Sequence, residues 1–342
     1  MNKNNNTYQG RNDILKIMSG EWLARACYVA VKLEIAEILD SGLKTIQELA
    51  LLTRNHEESL YRLLRVLTCT GIFIENDNRT FCHNAVSALL SSKHPDTLKH
   101  LVLFYAEIVP QAWDHLLPSV TTGVPAFQIA TNMSQFEWGK AHPEKGDIFQ
   151  KAMKEKSKAV AQSCLEVYDF SPFKTMCDLG GGYGHFMMAL LSKYPHMHGI
   201  VFELPEVIQA IIAQQGSKLN ERCELVAGDF FKQVPEHVDA FLMKSVLHDW
   251  NDADSIAILK NCHRVLPHAG RVFLIEVVLA DKQHSFPYCM DLLMMAVTGG
   301  KERTLQEWHN LLFQGGFELV KIIPTETEFS VIEAKKLTGW KG

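Results

Sequence analysis

Apolar residues change their spacing halfway along the chain. Through residues 14–39 they recur at helical intervals, and Ala24, Ala26, Ala30, Val31, Leu33, Ile35, Ile38 and Leu39 are predicted to form the inward faces of long amphipathic helices. Thr45, three residues before Glu48, predicts a capping box opening a further helix, and Asn55 is expected to cap the next one through Leu60, Leu63, Leu64 and Leu67. Beyond Gly71, the runs Ile72-Phe73-Ile74 and Thr80-Phe81 flank the turn-forming Asn76-Asp77-Asn78 and predict a small hairpin. Helix, helix and hairpin make a winged helix. Residues 84–170 read as more helices, interrupted at Pro95, Pro110, Pro118, Pro125 and Pro143.

From Thr175 onward the pattern is different. Short buried runs at residues 175–177, 199–203, 223–227, 238–243 and 272–278 alternate with helical stretches such as 255–266 and 305–313. This alternation predicts an α/β domain with a mostly parallel sheet and helices on both faces. The boundary is expected near Pro172, giving a helical, winged-helix domain at 1–170 and an α/β domain at 171–342.

A length of 342 residues leaves room for both, and 47% hydrophobic with 21% charged residues suits a globular enzyme. The net charge of −5 argues against a polyanionic partner. So does the start of the would-be recognition helix, Asn55-His56-Glu57-Glu58, which is acidic where phosphate contacts want Arg or Lys. The module is therefore expected to pack against a partner chain and help close a substrate pocket, with a winged-helix regulator as the non-enzyme alternative. No leader or membrane span is read, and the eight cysteines carry no C-x-x-C pair, so reduced thiols in a cytoplasmic protein are expected. Cys82-His83 and Cys262-His263 lack zinc-ligand spacing, and no metal is expected.

The densest chemical signal is Asp178-Leu179-Gly180-Gly181-Gly182-Tyr183-Gly184, which joins a buried strand to a helix through glycines that admit a ligand close to the backbone. Glycines at 180, 182 and 184 give G-x-G-x-G, and His185 stands where the dinucleotide fingerprint needs its third glycine. A Walker-type ending is absent as well, which leaves a nucleoside without phosphates, S-adenosylmethionine being the obvious candidate. Glu203, ending the next strand, is placed to hold ribose hydroxyls. Later strand ends offer Gly228-Asp229-Phe230-Phe231, where a carboxylate and an aromatic could frame a base, and Lys244-Ser245-Val246-Leu247-His248-Asp249-Trp250.

Together with Phe202-Glu203-Leu204-Pro205, Glu276 and Gly299-Gly300-Lys301-Glu302-Arg303-Thr304, these motifs resemble the S-adenosylmethionine-dependent O-methyltransferases of the plant caffeic-acid and N-acetylserotonin type and their bacterial natural-product relatives. The resemblance spans nearly the whole chain and implies a Rossmann-like methyltransferase domain behind a winged-helix dimerisation domain, hence a homodimer. It implies that the glycine loop (Asp178, Gly180, Gly182, Gly184) passes the cofactor's methionine portion and Glu203 its ribose. Asp229 and Phe230 would frame the adenine, with Lys244 nearby, Trp250 against the ring, and Ser157 on a helix bordering acceptor and cofactor. His248 matches the general base, and Glu276 and Glu302 the carboxylates that flank it. Phe149, Met153, Met290, Asp291, Met294 and Val297 match acceptor-lining positions. Glu203 stands where the family more often has Asp, and the acceptor-lining residues depart from the plant enzymes, so the identity of the acceptor does not carry over. The expected reaction is methyl transfer to a hydroxyl of a small aromatic or polyketide-like acceptor. An N-methyltransferase, or a non-methylating hydroxylase or decarboxylase on the same scaffold, is the alternative.

Overall fold

The structure is a computed structural model that describes residues 3–217, 219–280 and 285–340. Of the polar start of the chain, Met1 and Asn2 lie outside the described residues. The chain forms two compact units: residues 1–110 with 144–155, and residues 111–143 with 156–342. Both divisions of the second crossing fall at or within one helix, Pro143–Val167.

In the first unit, the helices expected over residues 14–39 are Lys3–Lys32 and the short Ile35–Leu39, parted at Leu33 and Glu34, the latter with φ of 53°. Ala26, Ala30, Val31, Ile35 and Leu39 are buried as predicted, but Ala24 is exposed. The helix Ile46–Thr53 opens on the predicted capping box, with Glu48 N–H donating to Thr45 Oγ1 at 3.2 Å and Thr45 N–H to Glu48 Oε2 at 2.7 Å. Asn55 does not cap the next helix. That helix, Glu57–Cys69, is capped by His56, whose Nδ1 accepts from Ser59 N–H at 3.3 Å, while the Asn55 amide donates back to the Thr53 carbonyl. The expected hairpin is β2 (Ile74–Asn76) and β3 (Thr80–Cys82), and β1 (Lys44–Thr45), which the sequence did not announce, pairs antiparallel with β3. Ile46, Leu49, Leu60, Leu64, Leu67, Phe73 and Phe81 close this winged-helix core against Ala30, Val31 and Ile35.

The second unit is built on an eight-stranded sheet. Five strands run parallel in the order β8 (Arg271–Leu279), β7 (Ala240–Lys244), β4 (Thr175–Leu179), β5 (His198–Glu203), β6 (Cys223–Ala227). The short β9 (Arg303–Thr304) pairs parallel with the end of β8. A terminal antiparallel hairpin, β10 (Phe317–Pro324) and β11 (Phe329–Lys336), extends the sheet beyond β8. Alternate residues along each strand enter different cores: Met176, Leu242, Phe273 and Ile275 one, Cys177, Phe241, Met243 and Leu274 the other. That is the burial of a sheet covered on both faces. The chain winds outward from β4 through β5 and β6, then returns to β7 on the other side of β4, so the topological switch point, where α/β folds bind ligands, lies at the end of β4. Among the described residues no helix is long and apolar enough to cross a membrane. All eight cysteines are free; Cys164, Cys177, Cys223 and Cys262 are buried, but Cys69 and Cys289 are exposed.

Candidate active site

Asp178, only 2% exposed, is the penultimate residue of β4 at the switch point, and the glycine loop follows. Gly182 has φ of 52° and nothing within 4 Å of where a Cβ would stand, so the backbone there is both left-handed and open to a ligand. One oxygen of Asp178, Oδ1, is buried and has no hydrogen-bond partner among the described residues. Burial is the largest influence on this carboxyl, and despite Lys244 it is pushed up to about 7. Glu203, at the end of β5, accepts the Leu204 N–H at 2.7 Å and faces the Gly182 N–H; burial holds it above the usual carboxylate range. Beyond β6, Asp229 accepts from Phe231 N–H at 2.9 Å and pairs with Lys232 at 3.2 Å. Trp250 stands edge-on to Phe230 and Phe231, with ring centroids 6.2 and 4.8 Å away. A cavity of about 490 Å³ opens beside Asp229, lined also by Leu204, Pro205, Gly228, Lys232 and Gln233. Open glycine backbone, an orphaned carboxylate oxygen and an adjacent cavity fit the nucleoside cofactor read from the sequence.

Val246 and Phe230 both pack beside Gly180, and two residues before Val246 the strand β7 ends in Lys244. Burial lowers it to about 8, and the charges it feels are those of Lys156, Glu276, Asp178 and Asp249. Ser157 is buried on the helix Pro143–Val167.

The turn Leu247–Asp249 after β7 carries His248, 4% exposed. Its Nδ1 lies 2.9 Å from Glu302 Oε1 and 3.6 Å from Glu276 Oε2, and its Nε2 is 3.8 Å from Asp249 Oδ1. The two glutamates are not equivalent. Glu276 projects from the middle of β8 and uses Oε1 to accept the N–H groups of Val246 and Leu247, both at 3.0 Å, thereby holding the turn itself. Glu302 holds the ring. Burial opposes a charged imidazole, but the Glu276, Glu302 and Asp249 carboxylates outweigh it and His248 is pushed up to about 9. With Nδ1 engaged by Glu302, Nε2 is the nitrogen left to take a proton.

Of the acceptor-lining candidates, Met290, Met294 and Val297 are buried on the helix Phe286–Val297 of the second unit. Asp291, on the same helix, uses Oδ1 to accept the Glu302 N–H at 2.9 Å, so it braces the residue that braces His248. Phe149 and Met153 belong to the first unit, where Phe149 packs 5.5 Å from Phe104. Sequence reasoning missed Arg303, which is wholly buried beside Glu302, and Lys156, whose largely buried ammonium lies 4.8 Å over the Phe329 ring. A charged run that follows a catalytic-type carboxylate was the available signal for Arg303.

Known proteins match this chain along nearly its whole length. Residues 113–318 match the model of the O-methyltransferase domain, and residues 15–93 that of the O-methyltransferase dimerisation domain. The chain is 36% identical to a phenazine O-methyltransferase of Lysobacter antibioticus, over 95% of this chain and 96% of the relative. It is 31% identical to an 8-amino-8-demethylriboflavin N,N-dimethyltransferase of Streptomyces davaonensis, over 93% of each. Among solved structures, the calicheamicin-biosynthesis methyltransferase CalO1 in its S-adenosylhomocysteine-bound form superimposes with a TM-score of 0.87 at 27% identity, covering 98% of this chain and 99% of that one.

Proposed function

This chain belongs to the S-adenosylmethionine-dependent O-methyltransferase family, and from that premise we propose that it methylates a hydroxyl on a small aromatic or polyketide-like acceptor, with His248 as general base. The observation that carries the reading is the buried contact of His248 Nδ1 with Glu302 at 2.9 Å, backed by Glu276. In the proposed assignment Asp178, Gly180, Gly182 and Gly184 hold the methionine portion of the cofactor, Glu203 the ribose, and Asp229, Phe230 and Trp250 the adenine with Lys244 nearby, while Ser157 borders cofactor and acceptor. When bound, the cofactor supplies an electrophilic methyl on a positively charged sulfur. The protein must then align the acceptor oxygen and take its proton. A phenol titrates at about 10, so an imidazole raised to about 9 receives that proton almost without a thermodynamic gap. Glu302 fixes the tautomer and stabilises the imidazolium that forms. Met290, Asp291, Met294 and Val297, all of the second unit, are the residues we assign to the acceptor.

N-methylation is the second reading, favoured by the riboflavin relative. The two differ chemically: a phenol needs its proton removed, whereas an aromatic amine already offers a lone pair. Incubation with methyl-labelled cofactor and a panel of phenols and amines tests the proposal. Label on phenolic oxygen that disappears in His248→Ala supports it, and label on amines alone, insensitive to that change, overturns it. We further infer a homodimer in the cytoplasm, supported by the dimerisation-domain match and the free thiols. On the helix Lys3–Lys32, Ile14, Ile17, Met18 and Trp22 are 58–77% exposed, the apolar surface such an interface needs. A monomeric sedimentation mass would count against it.

A further inference from the structure

Arg303 has no exposed surface, and its hydrogen bonds reach neither the His248 ring nor any side chain assigned to the cofactor. Its guanidinium spends its donors on the backbone of the base-bearing turn. Nη1 donates to the Leu247 carbonyl at 2.9 Å, and Nη2 to the Trp250 carbonyl at 2.9 Å and to Ser255 Oγ at 3.3 Å. Nε and Nη2 both reach Asp252 Oδ1, at 3.0 and 2.9 Å. Two residues earlier in the same strap, Lys301 N–H donates to the His248 carbonyl at 2.9 Å, and its ammonium pairs with the other oxygen of Asp252 at 3.1 Å. The carbonyls of Leu247, His248 and Trp250 are thus all held by residues 301–303, and Glu302, between them, holds the imidazole.

We infer that Arg303 is a positioning residue for methyl transfer: it fastens the His248 turn to the strap that carries Glu302, so that base and carboxylate keep their contact as one rigid piece. The inference rests on the proposed role of His248. Backbone carbonyls in a turn without a strand partner need donors from elsewhere. A guanidinium offers five in a planar fork, and an ammonium cannot span the same set. Asp252, half exposed, and the Trp308 ring 5.1 Å from the guanidinium fix the fork in its plane.

The test compares Arg303→Lys with Asp252→Asn, the latter loosening the fork from an exposed position so that the fold survives. For each, thermal melting, cofactor affinity, kcat and KM on a methyl-accepting phenol, and the titration of His248 by imidazole NMR are measured. The expected result is a kcat loss of about 10²-fold for Arg303→Lys and a smaller loss for Asp252→Asn, from misplacement of the base by a fraction of an ångström or more. KM and cofactor affinity should stay within about threefold, and His248 should titrate lower than in the parent as its contact with Glu302 slackens. Native kcat and native titration in both variants overturn the inference; so does a kcat loss matched by equal loss of folded protein or of cofactor binding. Failure of the base assignment shows separately: His248→Ala then retains turnover, while the titration shift in Arg303→Lys still reports whether the strap holds the ring.

Discussion

Gly300 is in van der Waals contact with the backbone of His248: a methyl group added at Gly300 would overlap the His248 carbonyl oxygen and stand 2.6 Å from the Asp249 carbonyl carbon. The close approach is what lets Lys301 N–H reach that same carbonyl. Gly300→Ala must push the turn away or break the strap. Overpacking of this kind costs about 1–3 kcal/mol of stability. Turnover is expected to fall far more than cofactor affinity, which calorimetry with the cofactor and steady-state kinetics on the same preparation will separate.

The charge on His248 sets the pH dependence of the reaction. Its carboxylate neighbours raise it to about 9, and the neutral ring is the form that takes a proton. Hence kcat/KM for a phenolic acceptor should climb as pH rises and level off only past about 9. Because the raised value belongs to the folded state, the imidazolium also stabilises the fold below an unfolded value of about 6.5, and that contribution is lost as pH rises through about 9. Glu302→Gln removes one of the negative charges, so the rising limb should move to lower pH while the plateau drops. A limb centred near the ordinary histidine value in the parent enzyme would contradict the assignment.

The unequal contacts of Glu276 and Glu302 predict unequal variants. Glu276→Gln retains a carbonyl oxygen for the Val246 and Leu247 N–H groups and should melt near the parent. Glu276→Leu leaves both donors buried and unpaired, at about 1–3 kcal/mol each. Glu302→Leu, whose side chain serves the ring alone, should instead spare the melting temperature more and lower kcat by ~10²-fold or more. Chemical denaturation alongside kinetics checks the contrast, and equal effects on both quantities from both positions would remove it.

Much of this site was legible because strand ends in a parallel sheet are where polar residues interrupt apolar runs. Asp178, Glu203, Asp229 and Lys244 are all of that kind: Glu203 and Lys244 end β5 and β7, Asp178 is one residue short of the end of β4, and Asp229 lies two residues beyond β6. Within the winged helix, Thr45 and Glu48 were readable because both halves of a capping box are local. What escaped notice depended on contacts distant in sequence. Glu302 was read as a carboxylate beside His248, but the burial of its neighbour Arg303 was not, because Arg303's partner Asp252 lies about fifty positions upstream. His56 displaced Asn55 as a cap because the left-handed residue ending the preceding helix, Arg54, leaves the Asn55 side chain facing back to Thr53. The β10–β11 hairpin went unread because Glu318, Lys321 and Lys335 break up its apolar residues.

The last prediction concerns Asp178, whose burial pushes it up to about 7 with the charge of Lys244 working against that rise. The sign follows from the direction. An acid whose folded value lies above its unfolded value of about 3.9 favours folding fully only below that value, and this advantage disappears as pH climbs to about 7. Above that, the protein holds an ionised carboxylate with one oxygen unpartnered among the described residues, which costs stability. Asp178→Asn removes the ionisation while keeping the shape. Its melting temperature should therefore exceed the parent's at pH 8 by more than it does at pH 5, and the variant should gain less melting temperature than the parent does when cofactor is added. A pH-independent difference between the two proteins would mean that the carboxylate is not strained in the free enzyme, and an equal cofactor-induced rise would mean that Asp178 takes no part in holding the ligand.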